Sequence, residues 1–369
     1  MNRLFRWDQT GLFLLALAAG ILPFAVPEVC ATALREGLTL CCGPLLLSLF
    51  PFLVVSRLLV QCPESDLLAL PFRLAAWGIG IRTPCAARVL CIGFLGGFAP
   101  AASAAAQAVR TGQLTAEEAD ALLPACICSG PSFVVLTVGQ SLLGSAELGV
   151  LLFASQITAN YLTAALLNRF AGVRSVKPGS AAPASPAPPR LDEILADAAI
   201  TYCKLCGFIL FFRMLAAGAG ALLPAGAGTL CAILLEVCSG CDLASRTGRW
   251  GSLLCCAALS VQGLSVLLQV RTICPPEMTL RPLYRSRWLH LPLSLALFYL
   301  LLPGGEADVF STLPVRVLLM RRVPPDCALL VFAVCCMAAC TLRSGIRQVE
   351  QKQMARNAGG CCINSKTLL

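Results

Sequence analysis

Between Ala121 and Gly144 the chain is apolar enough to enter a membrane, yet Ser129-Gly130-Pro131 interrupts the run at its centre. A second apolar stretch, Ser252 to Val270, is interrupted in the same way by Gln262-Gly263-Leu264-Ser265. Lipid offers no hydrogen-bond partner, so every backbone N–H and C=O at membrane depth must find one within the protein or in a water-filled cavity. A helix can therefore break there only where other segments cover the freed groups. Paired breaks in corresponding positions of two halves point to the binding site of a secondary transporter.

The rest of the chain supports a membrane setting. Of its 369 residues, 57% are hydrophobic and 13% charged, against about 25% charged in soluble domains. Apolar runs of roughly twenty residues recur along its length, the number a helix needs to cross a bilayer. The formal net charge of +9 fits Lys and Arg in cytoplasmic loops. No basic patch interleaved with aromatic residues is present, which argues against nucleic acid as a partner. The 22 cysteines fall mostly inside apolar runs, for example Cys91, Cys255 and Cys256, where a thiol packs as a small hydrophobe. The Arg3 and Arg6 flank before Gly11–Val26 has the form of a signal peptide, but in a polytopic chain it is read as a retained first span.

Hydropathy predicts an all-α polytopic membrane protein with about eight full spans: 10–28, 38–60, 86–109, 146–168, 203–223, 228–243, 288–303 and 326–343. Stretches 121–143 and 252–270 are expected to be re-entrant broken helices. Loop charges give the orientation. Arg3 and Arg6, then Arg73, Arg82 and Arg88, then Arg169, Arg174, Lys177 and Arg190, place those segments in the cytoplasm, together with 271–287 and the tail. The loop with Glu117, Glu118 and Asp120 is placed outside, and Arg316, Arg321 and Arg322 fall outside against the rule. Residues 1–171 form a first membrane half and 172–190 a Pro/Ala/Ser-rich cytoplasmic linker. Residues 191–343 form a second half and 344–369 a cytoplasmic tail.

The two halves echo each other in order. Phe50-Pro51-Phe52 before Ser56-Arg57 is echoed by Phe208 through Arg213, Gly96-Gly97 by Ser239-Gly240, Ser129-Gly130-Pro131 by Gln262-Gly263, and 146–168 by 288–303. Under the charge-based topology each echo runs opposite to its partner, an inverted repeat suited to alternating access.

Several residues stand out as candidates for a substrate site. Arg213 lies inside an apolar run, where an unpaired charge costs about 2.5–3.5 kcal/mol on insertion scales, and Glu236 in the next span is its expected partner. Half-helix N-termini at the breaks favour anionic groups, with Ser129, Gly130, Ser132, Gly263, Ser265 and Gln269 lining them, and Gln140, Ser239 and Gln262 adding further polar side chains. Thr115-Ala116-Glu117-Glu118 has the spacing of a helix-capping box. His290, the one histidine, is expected as an interfacial anchor beside Arg287 and Trp288. Cys203-x-x-Cys206 and Cys238-x-x-Cys241 have a metal or thiol-redox spacing, but no histidine accompanies them. The reading therefore includes no metal, no cofactor and no catalytic residue. No nucleophile elbow, phosphate-binding loop or HExxH motif is present, so no enzyme is predicted.

The segment Gly93–Ala165 resembles the YlbJ-type sporulation integral membrane protein family, whose nucleoside-recognition Gate-like repeats are related to regions of nucleoside transporters. Gly97-Phe98, Arg110-Thr111-Gly112-Gln113-Leu114-Thr115 with Glu118-Ala119, Gly130-Pro131-Ser132-Phe133, Val138-Gly139 and Ser155-Gln156 carry the resemblance. In the second half Cys206-Gly207-Phe208, Leu235-Glu236 with Gly240, and Gly263-Leu264-Ser265-Val266 with Gln269 continue it. Gln156 stands where the family usually has a histidine. The resemblance implies an integral membrane protein of spore formation in the bacterial cytoplasmic membrane, with both termini cytoplasmic. Its expected function is transport or channelling of a small solute, anionic or nucleoside-like; the alternative is a non-transporting scaffold. Expected partners are the lipid bilayer, that solute, and a second copy or other sporulation membrane proteins.

Overall fold

A computed structural model describes residues 9–61, 67–171 and 191–302. The expected span 326–343, the linker, the tail and Arg316, Arg321 and Arg322 lie outside those residues. The described chain is helical: α1 (Gln9–Ala25), α2 (Pro27–Cys42), α3 (Pro44–Gln61), α4 (Leu70–Gly78), α5 (Pro84–Gly96), α6 (Phe98–Arg110), α7 (Ala116–Cys126), a π-helix (Ser132–Leu142), α8 (Ala146–Ala171), α9 (Leu191–Leu222), α10 (Ala225–Leu235), α11 (Val237–Ser245), α12 (Gly251–Val261), α13 (Gly263–Ile273) and α14 (Arg281–Leu301). Three stretches are long and apolar enough to cross a membrane unaided: 146–171, 191–222 and 248–273. The other expected spans among the described residues are shorter or bent. The first, 10–28, ends where α1 and α2 meet at 110°, and α14 carries Arg281, Arg285 and Arg287.

Two expected spans are tight helical Vs. A Cβ added at Gly93 on α5 would lie 3.2 Å from the Cβ of Ala101 on α6, although eight residues of straight helix rise about 12 Å. The arms of 86–109 therefore fold back on each other at Gly97. Likewise a Cβ at Gly240 on α11 would lie 2.8 Å from Cα of Ile233 on α10, so 225–245 folds back at Glu236. Small residues permit both approaches. The turn in the second V falls at Glu236, three residues before the expected Ser239-Gly240 pair.

The stretches expected to be re-entrant are instead extended. Near one end of α8, Asn168 donates to the carbonyl of Ala121 on α7 at 3.1 Å. Near its other end, Gly149 packs on Val135 and Gly139 of the π-helix. α7 and the π-helix thus form one broken rod along α8. α12 and α13 likewise run on as the 26-residue stretch 248–273, with Trp250 and Leu254 beside Leu295 and Tyr299 near the end of α14.

These exchanges move one loop. Asp120 accepts hydrogen bonds from Thr279 N (2.8 Å), Thr279 Oγ1 (2.6 Å) and Leu280 N (3.1 Å). Arg88 donates to the carbonyl of Val60 at 2.7 Å, Asn168 to that of Ile79 at 2.9 Å, and Arg57 pairs with Asp197. The 110–120 loop therefore shares an end of the bundle with Arg88 and residues 271–281, not the opposite side as its acidic residues suggested. Asp and Glu contribute little to membrane orientation, so the acidic residues of this loop were a poor reason to set it apart from Arg88. Each half then reads V, broken rod, long helix. The first V opens toward this end and the second toward the other.

One local signal holds as read. Thr115 and Glu118 make both bonds of the capping box at the start of α7. Leu280, at φ 56, occupies the left-handed region that disfavours a side chain by about 1–2 kcal/mol, and the Asp120 carboxylate holds it there. Asp120→Ala should lower stability by about 3 kcal/mol, since three bonds to a charged acceptor are lost. Thermal melting of the detergent-solubilised protein checks this; an unchanged midpoint would show that Asp120 does not tie the two halves together.

Candidate functional site

The four interruptions meet. At Gly97 the backbone takes φ 82, ψ −162, a conformation open essentially to glycine alone, and a Cβ there would sit 2.7 Å from Gly130 N. The Ser129-Gly130-Pro131 break thus lies directly against the tip of the first V. In the second half Gln262 and Gly263 take φ 62 and φ 67, and a Cβ at Gly263 would sit 2.9 Å from Glu236 N and Leu235 O. Gln262 then joins the pairs by donating from Nε2 to the carbonyl of Ile127 at 3.2 Å. Each break covers backbone groups freed by another, as lipid demands.

At this junction α6, the π-helix, α11 and α13 all begin, so four helix N-termini and their partial positive charges converge. Glu236 already satisfies one of them: its carboxylate accepts from Cys238 N at 2.8 Å and Ser239 N at 2.7 Å, and it is 2% exposed.

Beside the junction lies a buried polar network among α8, α12 and α14. Gln156 donates to Ser260 Oγ at 2.9 Å, and the Ser260 and Ser294 hydroxyls share a bond of 2.5 Å. Arg287 donates to Asn160 Oδ1 at 3.3 Å and to Ser260 O at 3.4 Å. Cys126 and Cys128, which flank the first break, lie within electrostatic reach of its guanidinium. His290 Nε2 lies 3.3 Å from the carbonyl of Gln156, which makes that nitrogen the donor. Among the described residues Arg287 forms no ion pair. Gln156 Oε1, Asn160 Nδ2, Thr163 Oγ1, Gln262 Oε1 and His290 Nδ1 are buried without a hydrogen-bond partner. A lone buried cation ringed by unsatisfied polar atoms is costly and marks a functional position in a membrane protein.

Of the sequence candidates, Ser129, Gly130, Glu236 and Gly263 lie in the breaks, and Ser132 opens the π-helix. Ser265 and Gln269 follow on α13, both 1% exposed, with Gln269 Nε2 donating to Ser265 Oγ at 2.8 Å. Arg213 does not pair with Glu236. Its guanidinium bonds Glu36 Oε2 on α2 at 2.6 Å, because Glu236 is turned into the break as the cap of α11. His290 is fully buried rather than an interfacial anchor, while its neighbour Trp288 is 86% exposed. The described cysteines are free, no group of three or more His, Cys, Asp or Glu residues with metal-ligand placement occurs among the described residues, and Cys255 donates to the carbonyl of Cys241 at 3.4 Å.

Sequence reading missed Arg287, Asn160 and Ser260, and marked Gln156 only as standing where the family usually has a histidine. A signal existed: Gln156, Asn160 and Thr163 recur at i, i+4 and i+7 within an apolar helix, and Ser286, His290 and Ser294 at i, i+4 and i+8, so each set lines one face. Compared with known proteins, the chain matches no family model, no curated sequence and no solved structure.

Proposed function

We propose that this protein is a multi-pass membrane transporter for a small anionic solute, with its site at the four helix breaks and Arg287. One observation carries the reading: the breaks of both halves meet beside a buried guanidinium that has no carboxylate partner among the described residues. Helix N-termini and an unpaired cation at membrane depth attract negative charge. The V, broken rod and long helix of each half, oppositely directed, form an inverted repeat of the kind that supports alternating access. With the Vs as re-entrant elements, the rods 116–142 and 248–273 join α8, α9 and α14 as crossings, and 326–343 would add another.

Arg57, Arg82, Arg88, Arg110, Arg169, Lys204, Arg271, Arg281 and Arg285 fall at the end that holds the 110–120 loop, against Arg246 and Arg249 at the other. By the positive-inside rule the first end faces the cytoplasm. The resemblance to the YlbJ-type family would place the protein in the bacterial cytoplasmic membrane during spore formation and would add nucleosides to the candidate solutes.

Counterflow in proteoliposomes tests the reading with a panel of inorganic phosphate, short carboxylates, nucleosides and nucleotides. Wild-type protein should exchange at least one anion, and Arg287→Gln should slow that exchange about a hundredfold or more, the loss expected when a charged binding partner is removed. Folded wild-type protein that moves no member of the panel, together with Arg287→Gln cells that sporulate normally, would favour the scaffold reading.

A further inference from the structure

A second polar site lies away from the breaks, at the end of the bundle that holds the 110–120 loop. There α3, α6, α9 and α13 enclose a cavity of about 160 Å³. Its charged walls are Arg57, Arg110, Lys204 and Asp197, and Ile200 and Ile273 form an apolar flank. Asp197 is committed to Arg57, so the walls carry a surplus of two positive charges from Arg110 and Lys204. The Nε of Arg57 is buried with no hydrogen-bond partner. The C-terminal ends of α6 and α13 oppose this with about half a negative charge each, which leaves a net positive site.

We propose that this cavity binds a phosphate group, presented by an anionic phospholipid headgroup. Size, charge and setting agree on this class. A cavity of this size has room for several water molecules or one small polar group. That suffices for a phosphodiester but falls below the roughly 300 Å³ at which drug-sized ligand pockets begin. Basic pockets between transmembrane helices on the cytoplasmic side recognise anionic headgroups. Ile200, 55% exposed beside the cations, offers an acyl chain a surface that a free ion would not use. α6 and α13 run from this cavity to the breaks at Gly97 and Gly263, so an occupant touches the same two half-helices that build the central junction. The proposal rests on the membrane reading and not on transport.

The test uses the full chain in detergent micelles, with phosphatidylglycerol, phosphatidylcholine and inorganic phosphate as separate probes. Thermal midpoint and lipid retention in native mass spectrometry are read for wild type, for Arg110→Gln with Lys204→Gln, and for Arg285→Gln. Arg285 is an exposed residue at the same end but outside the cavity. Phosphatidylglycerol should raise the wild-type midpoint and phosphatidylcholine should not. The double variant should weaken phosphatidylglycerol binding by about tenfold or more, while Arg285→Gln keeps it. If millimolar phosphate alone stabilises wild type but not the double variant, the phosphate site stands and its source is soluble. Equal effects of the two lipids with no effect of phosphate, or equal losses in the double variant and Arg285→Gln, overturn the proposal.

Discussion

Gly97→Ala and Gly263→Ala should each destabilise the protein by about 3 kcal/mol or more, whereas Gly80→Ala and Gly144→Ala should cost only about 1–2 kcal/mol. All four glycines have positive φ, at 82, 67, 88 and 74 respectively, so an added side chain strains each backbone. Only two of them also touch another break. A Cβ at Gly97 would meet Gly130 N at 2.7 Å and Gly130 Cα at 3.0 Å. At Gly263 it would meet Glu236 N, Leu235 C and Leu235 O, each at 2.9 Å. Those neighbours are backbone and cannot swing aside as a long side chain would, so overpacking adds about 1–3 kcal/mol to the strain. A Cβ added at Gly80 or Gly144 would meet nothing within 4 Å. Melting in detergent, followed by fluorescence-detected size exclusion, separates the two classes. Equal losses for Gly80→Ala and Gly97→Ala would mean that the breaks do not pack on one another.

Two of the breaks could be read from the sequence because Ser129-Gly130-Pro131 and Gln262-Gly263 set glycine beside a polar residue at the centre of an apolar run; a lone proline such as Pro51 or Pro292 stays within its helix. Their shape could not. A V and a broken rod of the same length share one composition. What separates them is whether a small residue such as Gly93 or Gly240 meets another segment of the same pair, and that contact is tertiary. With the Vs taken as re-entrant, as proposed above, α5–α6 and 121–143 exchange roles, and the exchange cancels in counting membrane sides, so residue 146 keeps its side. The side of Asp120 was lost between them because its acidic loop was weighed as evidence. Arg213 drew attention as a charge in an apolar run, yet Glu36 on α2 satisfies it. Arg287 was passed over as one more arginine before a span, beside the exposed Trp288, although its own position on α14 turns inward.

Replacing Arg287 with methionine, with Asn160→Leu to remove the acceptor left behind, should abolish anion exchange while leaving the protein as stable as wild type or more so. A guanidinium taken out of water without a counter-charge pays a large desolvation penalty, and the cost of an arginine at the centre of a membrane helix is about 2.5–3.5 kcal/mol on insertion scales. Its hydrogen bonds to Ser286, Asn160 and Ser260 run from 3.2 to 3.4 Å and all go to neutral acceptors, so they offset only part of that. Exchange of a buried charge network for apolar groups of similar volume is commonly neutral, or stabilising by about 1–4 kcal/mol. The thermal midpoint of the double variant should therefore hold or rise as its counterflow disappears. Opposite movement of the two readouts assigns Arg287 to the solute, because a residue kept for the fold would lose both together. A midpoint that falls by several degrees with transport intact would make the network structural and return the solute site to the breaks alone.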